Sequence, residues 1–191
     1  MLLFVKIKRA LAMAFGRLAG RLGYNISSEM CIKDMLTGLL NRNYYQQRLE
    51  CYKNVGKHSI ACVYCDVNGL HELNNTKGHE AGDRMLIFVA ETMQKQFGEE
   101  HTYRIGGDEF VAFAPDAAYD DVEKRAAQIK RTLAENNYYA SIGISWSLSG
   151  AVKDICALVE RAEENMYKDK RRYYQEKDTG RRTARKTPER K

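Results

Sequence analysis

The sequence predicts an α+β domain built on a ferredoxin-like βαββαβ core, with a central, mostly antiparallel sheet flanked by helices. Three observations predict it. Residues 60–67 form an apolar run without alternation, as expected of a central strand buried on both faces. Residues 101–105 and 110–114 are β-rich runs separated by Gly106-Gly107, which reads as a hairpin whose glycines take positive φ angles. Periodic helices before and after that hairpin, and a last β-rich run at 138–146, complete the split βαβ order.

Taken in order, residues 1–22 can be drawn as a helix with Phe4, Ile7, Leu11, Phe15, Leu18 and Leu22 on one face and Lys6, Arg9, Arg17 and Arg21 on the other. The uncharged run 10–16 is far too short to span a bilayer. Three readings of this segment stand side by side: a basic helix lying on an anionic membrane surface, a helix that pairs two chains, or a helix that is packed on its own domain or is the stub of a longer upstream part. Ser27 or Ser28 can cap a short helix over 29–35. Thr37-Gly38 then breaks the chain, and Asn41 can cap a second helix over 42–53. Asp34 and Arg42 are placed to pair across that turn.

Asp66 lies near the C-terminal end of the first strand, where a charge is costly unless it is bound. Residues 68–79 are rich in turn formers and backbone donors. From Gly82 a periodic helix runs with Leu86, Val89, Met93 and Phe97 inward, and Asp83 lies in its first turn. After the hairpin, Val122, Ala126, Ile129 and Leu133 mark another amphipathic helix. Asp154 opens the last one, with Ile155, Leu158, Val159, Ala162 and Met166 on one face. Beyond Tyr174 no apolar pattern survives, so a basic, disordered tail is expected from residue 176. The expected division is a basic helix at 1–29, one domain at 30–175 and the tail at 176–191.

Composition narrows the function. The chain has 191 residues and a net charge of +6, but the ends are basic (+4 over residues 1–30, +7 over 168–191) and the middle is −5. An acidic body with basic ends does not fit a nucleic-acid-binding domain. The five cysteines follow no zinc spacing. Cys62 and Cys65 sit on opposite faces of a strand, which points to reduced, buried thiols in a cytosolic protein.

The acids at the hairpin tip carry the chemistry. Asp108 and Glu109 repel each other and add nothing to a core, so a cation is their natural partner; taken alone, the four residues read equally well as a solvated turn. The wider pattern decides. Gly106-Gly107-Asp108-Glu109-Phe110, together with Asp34…Leu36-Thr37-Gly38-Leu39…Asn41-Arg42 and Asp66…Asn74…Gly78-His79…Gly82-Asp83, resembles the GGDEF domains, a family of diguanylate cyclases, over about residues 30–174.

The resemblance implies a nucleotide-cyclase and polymerase-palm-like fold, and condensation of two GTP into cyclic di-GMP with release of pyrophosphate. It implies Mg²⁺ or Mn²⁺ held by Asp66, Asp108, Glu109 and the carbonyl of Val67. For Glu109 the resemblance leaves two roles open, binding the metal or activating the attacking hydroxyl, which sequence does not separate. Asn74 and Asp83 match guanine-reading positions, where a carboxylate suits the N1–H and 2-amino donors of guanine. Backbone groups of Gly69, Leu70 and His71 match the phosphate cradle, Lys170 a phosphate-binding lysine, and Gly107 a point of close nucleotide approach. One site holds one GTP, so the resemblance also implies a homodimer.

The chain departs from the family pattern in four places. Asn68 stands where many relatives have aspartate, His71 where lysine is common, and Tyr174 where a second phosphate-binding arginine is frequent. Phe97-Gly98-Glu99-Glu100 replaces the inhibitory Arg-x-x-Asp. The expected location is cytoplasmic, with peripheral contact at the inner face of the membrane if residues 1–22 bind lipid.

Overall fold

The computed structural model describes residues 32–53, 58–148 and 154–186, with side chains through residue 179. A five-stranded sheet runs in the order β1-β3-β4-β2-β5. β1 (Leu40–Asn41) lies parallel to β3 (Thr102–Arg104). β4 (Glu109–Pro115), β2 (Ser59–Asn68) and β5 (Tyr139–Leu148) add antiparallel neighbours. β2, β3, β4 and β5 are the four strands expected of the βαββαβ core. β1, two residues long, carries no periodicity that a sequence pattern could detect.

β2 is the spine of the sheet, and all ten of its residues are buried. Its alternate residues feed two cores. Ala61, Val63, Cys65 and Val67 face α3 (His79–Phe97) and α4 (Tyr119–Glu135), whereas Ile60, Cys62 and Tyr64 face α5 (Ile155–Lys186) and Tyr52. The predicted inward residues of all three helices are buried. Each of the larger side chains among them contributes ~1.5–3 kcal/mol on leaving water, which is why the 3.6-residue period is readable. Cys62 and Cys65 do fall on opposite faces, and burial pushes both thiols well above their ordinary range. No helix among the described residues is long and apolar enough to cross a membrane.

Four local expectations are corrected. Residues 70–77, read as turn-rich, form α2 (Leu70–Lys77), and α3 begins at His79 rather than Gly82. Of the short helix expected over 29–35, Ile32 is helical among the described residues, but Lys33 bridges to Leu40 and Met35–Thr37 form a turn. Asn41 does cap α1 (Arg42–Arg48), accepting from the Tyr44 N–H, and a 3₁₀ turn continues it over Leu49–Lys53.

The last helix does not stop at Tyr174; α5 continues to Lys186 through the expected disordered tail. Lys177 pairs with Glu72 of α2 at 3.0 Å, and Thr179 bonds back to the Gln175 carbonyl. Lys, Arg and Glu are good helix formers without any apolar face, so a missing hydrophobic stripe was the wrong signal for an end. The basic amphipathic helix expected over residues 1–22 lies outside the described residues.

Candidate active site

The sheet register brings the predicted acids together. Asp66 of β2 stands directly opposite Glu109 of β4, and alternation turns both, with Tyr64, toward α5. The Val67 N–H donates to the Asp108 carbonyl at 3.0 Å, which extends the ladder to the tip of the β3–β4 hairpin. Asp66 is only 5% exposed. Burial raises its pKa, and the neighbouring charges of Asp108 and Glu109 raise it further, against the opposing effect of Lys170. Glu109 accepts a hydrogen bond from the Tyr64 hydroxyl at 3.1 Å; burial, then the Glu109 charge, pushes that phenol far up.

Lys170 meets this cluster from α5, its Nζ 2.6 Å from Asp66 Oδ1. Burial would lower its pKa, but the charges of Asp66 and Asp108 outweigh that and raise it. Three contacts aim it. Gly143 of β5 lets the α5 backbone come so close that an added Cβ would lie 2.0 Å from the Ala162 carbonyl oxygen. Asn165 donates to the Ile144 carbonyl, and Asp169 accepts from the Ile142 N–H, both at 2.9 Å, so α5 uses the open edge of β5. Asn165 and Asp169 escaped the sequence reading because nothing in a helical period says which polar residue meets a strand edge.

The hairpin tip differs from expectation in its backbone. Neither Gly106 nor Gly107 has a positive φ. The tip is a wider loop in which the Ile105 and Gly106 N–H groups both donate to the Glu109 carbonyl, at 3.0 and 3.3 Å. Space explains Gly106, since a Cβ there would sit 2.4 Å from Glu109 Oε2. At Gly107 a Cβ would meet open space.

Arg104 braces this loop, donating from Nη2 to the Gly107 carbonyl at 2.7 Å and from Nη1 to Asp34 at 3.0 Å. Asp34 therefore pairs with Arg104, not with Arg42, whose side chain points to solvent from the first position of α1. Burial disfavours the Asp34 charge, but hydrogen bonds from the Thr37 hydroxyl and N–H, then Arg104, outweigh it and hold the pKa below the ordinary value of 3.8. A depressed carboxyl pKa contributes stability above the unfolded value and loses it as pH falls through the folded one. Asp34→Asn should therefore cost about 1–2 kcal/mol at neutral pH. In urea titrations at a series of pH values, that gap to the unchanged protein should close below about pH 4.

α2 opens at Gly69, which has a φ of 77° and no side-chain cap, so the first-turn N–H groups that follow have no partner within the helix. Leu70 and His71 belong to that turn, and the His71 ring bonds Asn75 at 3.0 Å. Asn74 lies against Gly82 of α3, and its buried Oδ1 has no hydrogen-bond partner. Asp83, half-buried, follows Gly82 in α3. Asn68, beside the cradle, is committed to Ser141, each side chain donating to the other at 2.9 and 3.0 Å. A cavity of about 360 Å³ adjoins the cradle, bordered by Gly69, Glu72, Tyr139, Tyr173 and Lys177.

Among the described residues, no group of three His, Cys, Asp or Glu side chains closes into a ready-made metal cage. What the site offers is hard oxygen: Asp66, Asp108 and Glu109, whose mutual repulsion is felt at Asp66 and partly neutralised by Lys170. That chemistry fits an oxygen-seeking divalent ion such as Mg²⁺ or Mn²⁺.

The family model described as "Diguanylate cyclase, GGDEF domain" matches residues 31–176. The chain is 30% identical over 159 residues to the response regulator PleD of Caulobacter vibrioides, covering 75% of this chain and 35% of that protein. It is 28% identical over 158 residues to the diguanylate cyclase DgcS of Shewanella oneidensis, covering 77% and 52%. The chain thus spans about a third to a half of these relatives. Among solved structures, the coiled coil and GGDEF domain of DgcB from Caulobacter crescentus, in complex with c-di-GMP, superposes with a TM-score of 0.70 at 21% identity. That match covers 90% of this chain and 95% of the other.

Proposed function

Because the chain belongs to the GGDEF family of diguanylate cyclases, we propose that it condenses two GTP molecules into cyclic di-GMP and two pyrophosphates. The observation that carries this reading is the buried Asp66 opposite Glu109, with Lys170 2.6 Å away at the base of the Gly-Gly-Asp-Glu loop. In each of two steps a 3′-hydroxyl attacks the α-phosphate of the other nucleotide; an O–P bond forms and the bond to pyrophosphate breaks. Such transfer depends on positioning and charge neutralisation more than on covalent help.

Asp66, Asp108, Glu109 and the Val67 carbonyl would hold the divalent ion. Bound there, it would neutralise charge on the phosphates and ease loss of the hydroxyl proton. Glu109, which accepts a hydrogen bond from Tyr64, would receive that proton. Arg104 holds the tip loop still. Asp83 accepts from N1–H and the 2-amino group of guanine, and Asn74 brings a buried carbonyl oxygen that needs a donor. Gly69, Leu70 and His71 cradle the terminal phosphates with backbone N–H groups, and Gly107 leaves room for the nucleotide.

Two such domains must face each other, so the working unit is a homodimer. Residues 1–22 are the candidate to assemble it, by pairing chains or by gathering them at the inner face of the membrane. Deleting residues 1–24 should lower the rate and make it steeper in protein concentration. The direct test is incubation of the purified chain with GTP and Mg²⁺, with cyclic di-GMP measured by mass spectrometry.

A second reading, a domain that binds GTP without condensing it, draws on His71 and Tyr174, which thin the positive charge near the phosphates. It predicts bound GTP and no product at any protein concentration. Phe97-Gly98-Glu99-Glu100 stands where the family's inhibitory Arg-x-x-Asp would lie and offers no arginine to hold a dinucleotide phosphate. Added cyclic di-GMP should therefore cause no noncompetitive inhibition in initial-rate assays.

A further inference from the structure

We propose that Lys170 is the resident cation of the metal site: its ammonium holds Asp66 Oδ1 when no metal is bound, and must leave before that oxygen can ligate a divalent ion. The inference rests on the reading of Asp66 as a metal ligand given above. The geometry is specific. Nζ is 2.6 Å from Oδ1, close to where an ion ligated by that oxygen would have to sit. The Asp66 side chain is 7% exposed and the Lys170 side chain 28% exposed, so the lysine has open space to move into and the carboxylate does not.

The electrostatics favour an exchange over simple addition. A divalent ion on Asp66 would face the ammonium at short range in a poorly hydrated site, where repulsion is weakly screened. Ejecting Lys170 with nothing to receive it separates a close ion pair. A triphosphate arriving with the metal supplies a new anionic partner at the cradle, next to the same stretch of α5. Metal and triphosphate should therefore load together, each weak alone. Without the metal, Lys170 offsets part of the cost of a buried acid beside two other acids.

Mn²⁺ binding to the full chain, followed by electron paramagnetic resonance without nucleotide and then with 3′-deoxy-GTP, which cannot condense, tests the exchange without requiring turnover. In the unaltered protein, 3′-deoxy-GTP should tighten Mn²⁺ binding. Lys170→Met should bind Mn²⁺ alone about tenfold more tightly, lose most of that tightening, and bind the metal-free nucleotide more weakly. Lys170→Arg, which keeps the cation, should bind Mn²⁺ alone as the unaltered protein does. Equal or weaker Mn²⁺ binding by a folded Lys170→Met, or Lys170→Arg as tight as Lys170→Met, overturns the exchange and leaves the metal site standing. Absence of Mn²⁺ binding in every protein, with or without nucleotide, overturns the metal site and the exchange with it.

Discussion

Asp66→Asn is expected to reduce cyclic di-GMP formation by at least about 10³-fold, because the proposed phosphoryl transfer would rely on charge neutralisation arranged around that carboxylate. The amide keeps the shape and one acceptor oxygen but no longer supplies the negative charge that would draw the proposed metal into a buried position. The fold should survive. Burial and two neighbouring acids already disfavour the Asp66 charge, and the Lys170 side chain left behind is partly exposed and can turn to water. Circular dichroism and the melting temperature should change little while product falls to background. Glu109→Gln should act in the same direction, since it can keep the hydrogen bond from Tyr64 but cannot take a proton. Retained turnover in both variants would refute the assignment of the acids.

Gly143→Ala is the largest expected effect away from the acids. The added methyl would lie 2.0 Å from the Ala162 carbonyl oxygen and 2.1 Å from the Met166 nitrogen, both backbone atoms of α5 that cannot rotate away. Either α5 lifts from β5 or the strand buckles. A cost of about 3 kcal/mol or more follows, which for a domain of this size lowers the melting temperature by about 10 °C. Lifting α5 also carries Lys170 away from the phosphate cradle, so nucleotide binding should weaken alongside stability. Thermal unfolding followed by circular dichroism checks the first effect, and titration with 3′-deoxy-GTP the second. A variant that melts within 2–3 °C of the unaltered protein would show that α5 is less tightly seated than the contact implies.

The two predictions differ in how far they could be foreseen. Asp66 was singled out from its own strand, because an acid inside an apolar run needs a partner wherever the run folds. Gly143 was visible only as a glycine in a strand. Its role depends on α5, which begins at Ile155 and crosses at a distance that no strand pattern encodes. Similarly, the Gly106-Gly107 pair correctly marked a hairpin, but the positive φ angles expected of it are absent; close packing of Gly106 on Glu109 is the reason for glycine there.

The sequence alone determined the order of the core strands and helices, the inward face of each long helix and the two faces of β2, since each is written in a period of two or 3.6 residues within one segment. Together with the spacing of its motifs, it also determined the family. Tertiary structure alone decided which charges meet. Asp34 finds Arg104 across 70 residues of chain, and Asp66 finds Lys170 across 104. A side chain's charge is legible in its own letter, but its partner is chosen by which strands pair and which helix crosses them. For that reason the sequence named the acids and the lysine of this site, and only the fold revealed that Lys170, expected at a phosphate, rests on Asp66.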